Sequence, residues 1–193
     1  MSSIHFQVAT HNDIDHILAL QEKYHVSNFN EREKSNGFVT TRFTVGQIKE
    51  IIGQEGLFVA KASQKVVAYV FAGSWTYFSQ WEIFNVMTAR FAPLSFNGLK
   101  ITTDNSFQYG PICIDEEHRG RGVIYELFEF MRIHLVKRYP LGVTFINKIN
   151  VRSFKVHVDK LHWKVIDEFD FNNNSYYILA YSMNKSALES LIR

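Results

Sequence analysis

Hydrophobic and polar positions alternate over Ile4 to Ala9, with Ile, Phe and Val set against His and Gln, the period of a strand with one buried face. The period then lengthens. Ile14, Ile17, Leu18 and Gln21 recur at helical spacing and predict a helix to about Tyr24. Ahead of it, Thr10-His-Asn-Asp13 places a hydroxyl first and an acid three residues later, the signature of a capping box. The polar stretch Ser27 to Asn36 reads as loop, and Thr44-Val-Gly-Gln47 is a second capping box, opening a short helix to about Gly53. Leu57 to Lys61 and Lys65 to Phe71 are β-rich runs on either side of Ser63-Gln64, a hairpin. Phe107 to Ile114 reads as a strand ending in Asp115-Glu-Glu-His118, and Arg119 to Gly122 as a Gly-rich turn. Val123, Leu127, Phe130, Met131 and Leu135 then form the apolar stripe of a long helix ending near Pro140. A short strand follows at Val143 to Ile146, then a helix capped by Asn150 that runs to about Leu161. Two last strands, Trp163 to Phe169 and Tyr176 to Tyr181, flank the turn Asn172 to Ser175. Helices mixed with hairpins predict an α+β fold on a mixed sheet, not a doubly wound parallel one.

The stretch from Gly73 to Asn105 departs from this rhythm. It holds Trp75, Tyr77, Phe78, Trp81, Phe84, Phe91 and Phe96, and about Tyr77 to Ala89 has helical spacing. Aromatics make up 15% of the 193 residues, so a Phe-rich core accounts for most of them. Within this stretch Trp75, Tyr77, Trp81 and Phe84 are candidates for an aromatic-lined pocket or a homodimer face, with core packing as the remaining reading.

Composition excludes several classes. The chain is 46% hydrophobic and 21% charged, with no repeat or Pro/Gly/Ser-rich linker, so one globular domain over 1–193 is expected. Its 21 basic and 19 acidic residues leave a charge of +2 with no basic block, which argues against a nucleic-acid partner. No apolar run approaches the roughly 18 residues of a membrane span. The opening Met-Ser-Ser-Ile-His-Phe lacks signal-peptide character, and the single Cys113 makes no internal disulfide, so a cytoplasmic setting is expected. His11 and His16 are five apart, as are His157 and His162, which is not metal-pair spacing on a helix, and no metal is expected.

The segment that carries chemistry is Ile112-Cys-Ile-Asp-Glu-Glu-His-Arg-Gly-Arg-Gly-Val-Ile124. A strand ends, a Gly-rich turn follows and a helix starts. Such a turn presents N–H groups that have no intrahelical partner, at the positive end of the helix dipole. With Arg119 and Arg121 alongside, this suits a phosphate. It is neither a Walker loop, because Val123-Ile124 follows the second glycine, nor a dinucleotide fingerprint, because Tyr125 stands where the third glycine belongs.

In context the chain resembles the GNAT superfamily of acyl-CoA-dependent N-acyltransferases over about residues 3 to 183. Arg119-Gly-Arg-Gly122-Val-Ile124 is similar to the family's pyrophosphate loop [Q/R]-x-x-G-x-[G/A], and Asn150-Val-Arg-Ser153-Phe-Lys-Val-His157 to its N-x-x-[A/S]-x-x-x-[Y/H] helix start. Gln7 to Leu18 resembles its first strand and helix, and Phe58 to Val70 its second and third strands. There are three departures: Ile124 replaces a small residue, His157 stands where Tyr is common, and Leu161-His-Trp163 replaces Leu-Gly-Phe after what reads as one extra residue.

The resemblance implies a central mixed, mostly antiparallel sheet of about six to seven strands flanked by about four helices, with splayed fourth and fifth strands. It implies acetyl-CoA as co-substrate, an amine acceptor, and direct attack in a ternary complex. Ile112, Cys113 and Ile114 would pair with the pantetheine arm; Arg119, Gly120, Arg121, Gly122, Val123 and Ile124 would hold the pyrophosphate; Asn150 would sit near the thiol end, and Ser153 would help hold the cofactor, with a helix cap as its alternative. His157 is the candidate acid for the departing thiolate, with a structural helix residue as its alternative, and Tyr109 is a second catalytic candidate beside the splay, with a core tyrosine as its alternative. No base is singled out, and Asp115, Glu116 and Glu117 read as a solvated cluster. Cys113 reads as an inert buried thiol. A GNAT-fold module that binds acyl-CoA without turnover is the alternative function.

Overall fold

Seven strands form one sheet in the order β1-β2-β3-β6-β7-β9-β8. These are β1 (Ile4–Val8), β2 (Leu57–Ala62), β3 (Lys65–Gly73), β6 (Ser106–Ile114), β7 (Leu141–Asn147), β8 (Lys164–Phe171) and β9 (Asn174–Ser182). A separate two-stranded hairpin, β4 (Ser95–Phe96) with β5 (Leu99–Lys100), lies in the aromatic stretch, so the strands expected to be fourth and fifth are β6 and β7. The computed structural model describes residues 3–188; the ends of the expected 1–193 domain, including Met1 and Ser2 of the N-terminal segment read for export, lie outside the described residues.

Every neighbouring pair in the large sheet is antiparallel except β6 and β7, which are parallel. That pair is in register only from Ser106 opposite Leu141 to Gln108 opposite Val143. Both strands continue past this point without pairing, to Ile114 and Asn147, so the sheet opens into a V.

Helices cover both faces. On one lie α1 (Ile14–Lys23), α2 (Val45–Gly53), α3 (Trp75–Phe78) and α4 (Glu82–Thr88). On the other lie α5 (Val123–Leu135) and α6 (Val151–Lys155). Both capping boxes form: Asp13 accepts from the Thr10 N–H at 2.9 Å, and Thr44 accepts from the Gln47 N–H at 3.3 Å. The helix predicted over Tyr77 to Ala89 is two short ones, α3 and α4, broken after Phe78. The helix predicted from Asn150 to Leu161 is also divided. α6 stops at Lys155 and a π-helical turn covers Val156–Lys160, which absorbs the extra residue noted in the sequence.

Strand parity explains how the two cores stay separate. Leu57 and Val59 face the α1 side, whereas Phe58 and Ala60 face α5. On β6, Phe107 and Tyr109 face α5, and so do Ile112 and Ile114, although the parity between them has changed. The switch is a bulge at Gly110-Pro111: Val70 pairs with Ile112 but Ala72 with Tyr109, so one extra residue enters β6. Without it, Ile112 and Ile114 would turn to the α1 side.

The aromatic stretch is built chiefly into the core. Trp75, Tyr77 and Phe84 are all at most 5% exposed. Ring contacts chain Tyr77 to Trp81, Trp81 to Phe84 and Phe84 to Phe145. Trp75, Tyr77 and Phe84 are therefore core residues, while Trp81 is half-buried. Each buried ring contributes roughly 1.5–3 kcal/mol, which is what holds an otherwise irregular segment against the sheet.

Candidate functional site

The Gly-rich turn lies where the sequence placed it, between the end of β6 and the start of α5. Gly120 and Gly122 have φ of +75° and +83°, a left-handed conformation that a glycine adopts without strain. Among the described residues, no protein acceptor bonds the backbone N–H groups of Gly120, Arg121, Gly122, Val123 or Ile124. Five consecutive donors at the N-terminus of a 13-residue helix form a cradle for an anion.

The cradle forms one wall of a cleft of about 200 Å³. Ile112, Cys113, Ile114, Arg119, Gly120, Gly122, Val123, Ile124, Asn150, Ser153 and His157 all line it, so eleven of the thirteen residues singled out in the sequence converge here. Arg121 does not; its side chain is exposed. Tyr109 lines an adjoining cavity instead. The cleft's charged lining is basic (Arg119, Arg152 and Lys160), with no Asp or Glu among the described residues.

Arg119 is more committed than its place in the motif suggests. Its Nε donates to the Ile114 carbonyl oxygen at 2.8 Å and its Nη1 to the Asn36 carbonyl oxygen at 3.3 Å, with the guanidinium 4.6 Å from the Tyr24 ring centre. It ties β6 to the loop after α1. That loop, expected to be a plain polar connection, contains two 3-10 turns (Val26–Asn28 and Glu33–Asn36) and roofs the cleft with Asn36, Gly37, Phe38 and Val39. Asn150 fastens the same roof, donating from Nδ2 to the Phe38 carbonyl oxygen at 3.2 Å while its Oδ1 caps α6 at the Ser153 N–H.

The unpaired edge of β6 supplies backbone groups. The Asp115 N–H bonds the Val67 carbonyl oxygen, so by the alternation of an antiparallel ladder Asp115 and Cys113 direct their N–H and C=O groups at β3. Ile112 and Ile114 direct theirs into the V. The Cys113 thiol is buried toward the α1 side, and burial pushes its pKa up to about 12, so the cysteine is an inert one.

The second cavity, about 90 Å³, fills the mouth of the V. It shares Phe38, Val39, Ile112, Asn150, Ser153 and His157 with the cleft and adds Gln108, Tyr109, Thr144, Phe84, Phe145 and Tyr176 among others. Among the described residues, no Asp, Glu, Lys or Arg lines it.

His157 sits between the two spaces and is 3% exposed. Its Nδ1 is 2.7 Å from the Ser153 carbonyl oxygen, and no protein atom among the described residues bonds Nε2. Burial lowers the imidazolium pKa to about 4, against a smaller opposing effect of the Ser153 carbonyl. The ring is therefore neutral at pH 7 and carries a transferable proton only after accepting one. Tyr109 is also buried, packed edge-on to His157 at 5.5 Å and tilted against Trp163 at 4.8 Å. Its hydroxyl has no hydrogen-bond partner among the described residues, and burial pushes its pKa far up. Two members of the acidic cluster are ion-paired: Lys23 lies 3.1 Å from Asp115 and 3.2 Å from Glu116. Burial alone would raise the Asp115 carboxyl, but the Lys23 ammonium and the Glu117 N–H together outweigh it and lower it below the ordinary value. Among the described residues, no three His, Cys, Asp or Glu side chains gather as a metal site, and no helix is long and apolar enough to cross a membrane.

Tyr24, the Asn36–Val39 roof, Arg152, Lys160, Gln108 and Thr144 were not singled out from the sequence. Arg152, Val156 and Lys160 carried a signal, four apart on one predicted helix beside the cleft. The others reach the site through long-range packing.

This architecture is shared with solved acetyltransferases. A GNAT-family acetyltransferase from Streptococcus agalactiae 2603 is 16% identical, with 93% of this chain and 95% of that one covered and a TM-score of 0.60. The yncA protein of Salmonella typhimurium, solved with its cofactor acetyl-CoA, is 12% identical over 95% of this chain and 96% of that one, with a TM-score of 0.62. The ribosomal-protein-S18-alanine N-acetyltransferase from Escherichia coli is 10% identical over 94% of each chain, with a TM-score of 0.59. No protein-family model matches the sequence, and no curated protein does. The chain has the GNAT fold.

Proposed function

We propose that the protein is an acetyl-CoA-dependent N-acetyltransferase that brings the acetyl donor and an amine together in a ternary complex. One observation carries this reading: a basic cleft with an unpaired N–H cradle and an uncharged cavity in the V meet at Ile112, Asn150 and His157. The donor set fits the cofactor, since a pyrophosphate takes N–H groups and cations and is repelled by carboxylates, which the cleft lacks. Acetyl-CoA supplies an acetyl thioester.

The Gly120 to Ile124 N–H groups bind the pyrophosphate, with Arg152 and Lys160 adding long-range attraction. The Ile112 carbonyl oxygen and the Ile114 N–H hold the pantetheine arm as a neighbouring strand would. The Ile112 N–H, directed into the V where the cleft and the cavity meet, is the donor suited to the oxyanion, because its position is set before the reaction begins. Because Nδ1–H of His157 is engaged by Ser153, its Nε2 presents a lone pair and accepts the proton that leaves the amine nitrogen. With a conjugate-acid pKa near 4, it passes that proton on to sulfur rather than keeping it. Tyr109 acts as a positioning residue that braces the His157 ring.

Acyl-CoA binding without turnover is supported by one observation, the absence of any carboxylate base from the lining of either cavity. Calorimetry with acetyl-CoA, followed by thiol release with an amine panel, separates the two readings. Binding with amine-dependent thiol release supports the enzyme, binding with no release across the panel supports the module, and no binding at millimolar acetyl-CoA overturns both.

A further inference from the structure

We infer that the cavity in the V takes a neutral, weakly basic aromatic amine, an aniline-type acceptor, and that Gln108 selects it. This rests on the acetyltransferase reading and names its substrate class.

Three observations converge. First, the walls on the α4 side are rings: Phe84 contacts Phe145 at 5.2 Å and Phe145 contacts Tyr176 edge-on at 5.3 Å, all three lining the cavity. Its volume of about 90 Å³ is below the roughly 150 Å³ of an apolar cavity that holds benzene, so a single ring seats there only with one edge in the adjoining cleft, with which the cavity shares six lining residues. Second, no ionised side chain lines it. An alkylamine with a lysine-like pKa near 10.4 is neutral in only about one molecule in 2,500 at pH 7, and its ammonium form would enter without a counter-charge. An arylamine is unprotonated at that pH and needs no carboxylate to hold or deprotonate it before attack. Third, Gln108, 3% exposed, carries an unsatisfied acceptor. Its Nε2 donates to the Tyr109 carbonyl oxygen at 2.7 Å, which fixes the amide orientation, and its Oε1 has no partner among the described residues. A buried carbonyl left this way calls for a donor, and an amine N–H is one.

The reaction balances without a co-reactant. The nitrogen forms a bond to the acetyl carbon as the carbon–sulfur bond breaks. One amine proton ends on the departing sulfur, giving an N-aryl acetamide and free thiol.

4-Methylaniline and benzylamine test this directly, because they are isomers that differ in basicity. The wild type is expected to acetylate 4-methylaniline with a kcat/KM at least about tenfold above benzylamine at pH 7, read by thiol release. Gln108→Leu lowers the 4-methylaniline value by about tenfold, the scale of one lost buried hydrogen bond, while acetyl-CoA affinity by calorimetry stays unchanged. Gln108→Glu shifts the preference toward benzylamine. Equal use of the two amines, preference for benzylamine, or no transfer to either overturns the inference, and retained acetyl-CoA binding in those cases leaves the cofactor reading standing. If acetyl-CoA does not bind, the acetyltransferase reading falls. Saturation-transfer NMR on the protein alone then still judges the cavity: 4-methylaniline bound, benzylamine unbound and the signal lost in Gln108→Leu supports it, and any other pattern overturns it.

Discussion

The Nδ1 atom of His157 lies 2.7 Å from the backbone carbonyl oxygen of Ser153, one helical turn earlier. A carbonyl can only accept, so Nδ1 carries the hydrogen and Nε2 the lone pair. Trp163 closes the other end of the turn, donating its N–H to the His157 carbonyl oxygen at 2.9 Å. The ring's tautomer and orientation are thus set by backbone, before any ligand arrives.

Burying this ring in neutral form couples stability to pH. The folded pKa is near 4, and the unfolded value near 6.5. A depressed folded pKa gives stability that is fully present above the unfolded value and lost as pH falls from about 6.5 toward 4. The shift is worth on the order of 3 kcal/mol by linkage. Urea unfolding of the wild type and of His157→Gln at pH 7 and pH 4.5 isolates it: the wild type loses more stability over that interval than the variant does. Equal losses would remove His157 as the cause.

The same tautomer argument separates His157 from Tyr109 in catalysis. His157→Ala removes the Nε2 acceptor and is expected to lower kcat by roughly 10²–10⁴-fold, the range for a general acid–base group, with acetyl-CoA affinity held. Tyr109→Phe removes an unpartnered hydroxyl and keeps the ring against His157 and Trp163, so kcat should fall less than about tenfold. Comparable losses in the two variants would make the phenol, not the imidazole, the proton carrier.

Arg152 and Lys160 were not singled out from the sequence, yet both line the cleft. They are exposed, so their attraction for an anionic cofactor acts through solvent and is screened by salt. The double variant Arg152→Ala/Lys160→Ala is expected to weaken acetyl-CoA binding several-fold at low salt and to flatten its dependence on ionic strength. Titration calorimetry at two salt concentrations checks this, and an unchanged salt slope would place the phosphates elsewhere.

Asp13 shows how a local sequence signal can hide a long-range one. It is fully buried and lies 2.7 Å from Lys61 on β2. Burial alone would raise its carboxyl; the Lys61 ammonium and the Thr10 N–H and hydroxyl outweigh that and lower it below the ordinary value. Lys61→Met leaves this carboxylate without its counter-charge and should destabilise the fold by about 3–5 kcal/mol. The double variant Asp13→Asn/Lys61→Met should recover much of that loss, as denaturant midpoints would show.

Legibility followed the range of the interaction. Both capping boxes, the alternating strands and the strand–glycine–helix turn depend on neighbours three or four residues apart, and each formed as expected. The splay of β6 from β7 was legible only through the family resemblance, because it depends on where a parallel pairing stops. Arg119 is a motif residue whose partners, Asn36 and Tyr24, lie more than eighty positions away, so nothing local marks it as a tether. The lowered pKa of His157 and the orphaned Oε1 of Gln108 are consequences of burial, and burial of a polar side chain has no periodicity to read.

The last departure from the family pattern is a backbone one. His162 stands where Leu-Gly-Phe has glycine, and its φ is +60°, in the left-handed region. That conformation costs an L-residue roughly 1–2 kcal/mol, offset in part because glycine loses more entropy on folding. The His162 side chain is exposed, so removing it forfeits little packing. The backbone on either side is held: the Leu161 N–H bonds the Val156 carbonyl oxygen at 3.1 Å and the Trp163 N–H bonds that of His157 at 2.9 Å, so the turn cannot relax by shifting. His162→Gly is therefore expected to stabilise the fold by about 0.5–1 kcal/mol, a rise in Tm of roughly 1–4 °C for a chain of this size. His162→Ala keeps the Cβ and should give no gain. A glycine variant that melts below the wild type would show that the side chain contributes more than the strain it imposes.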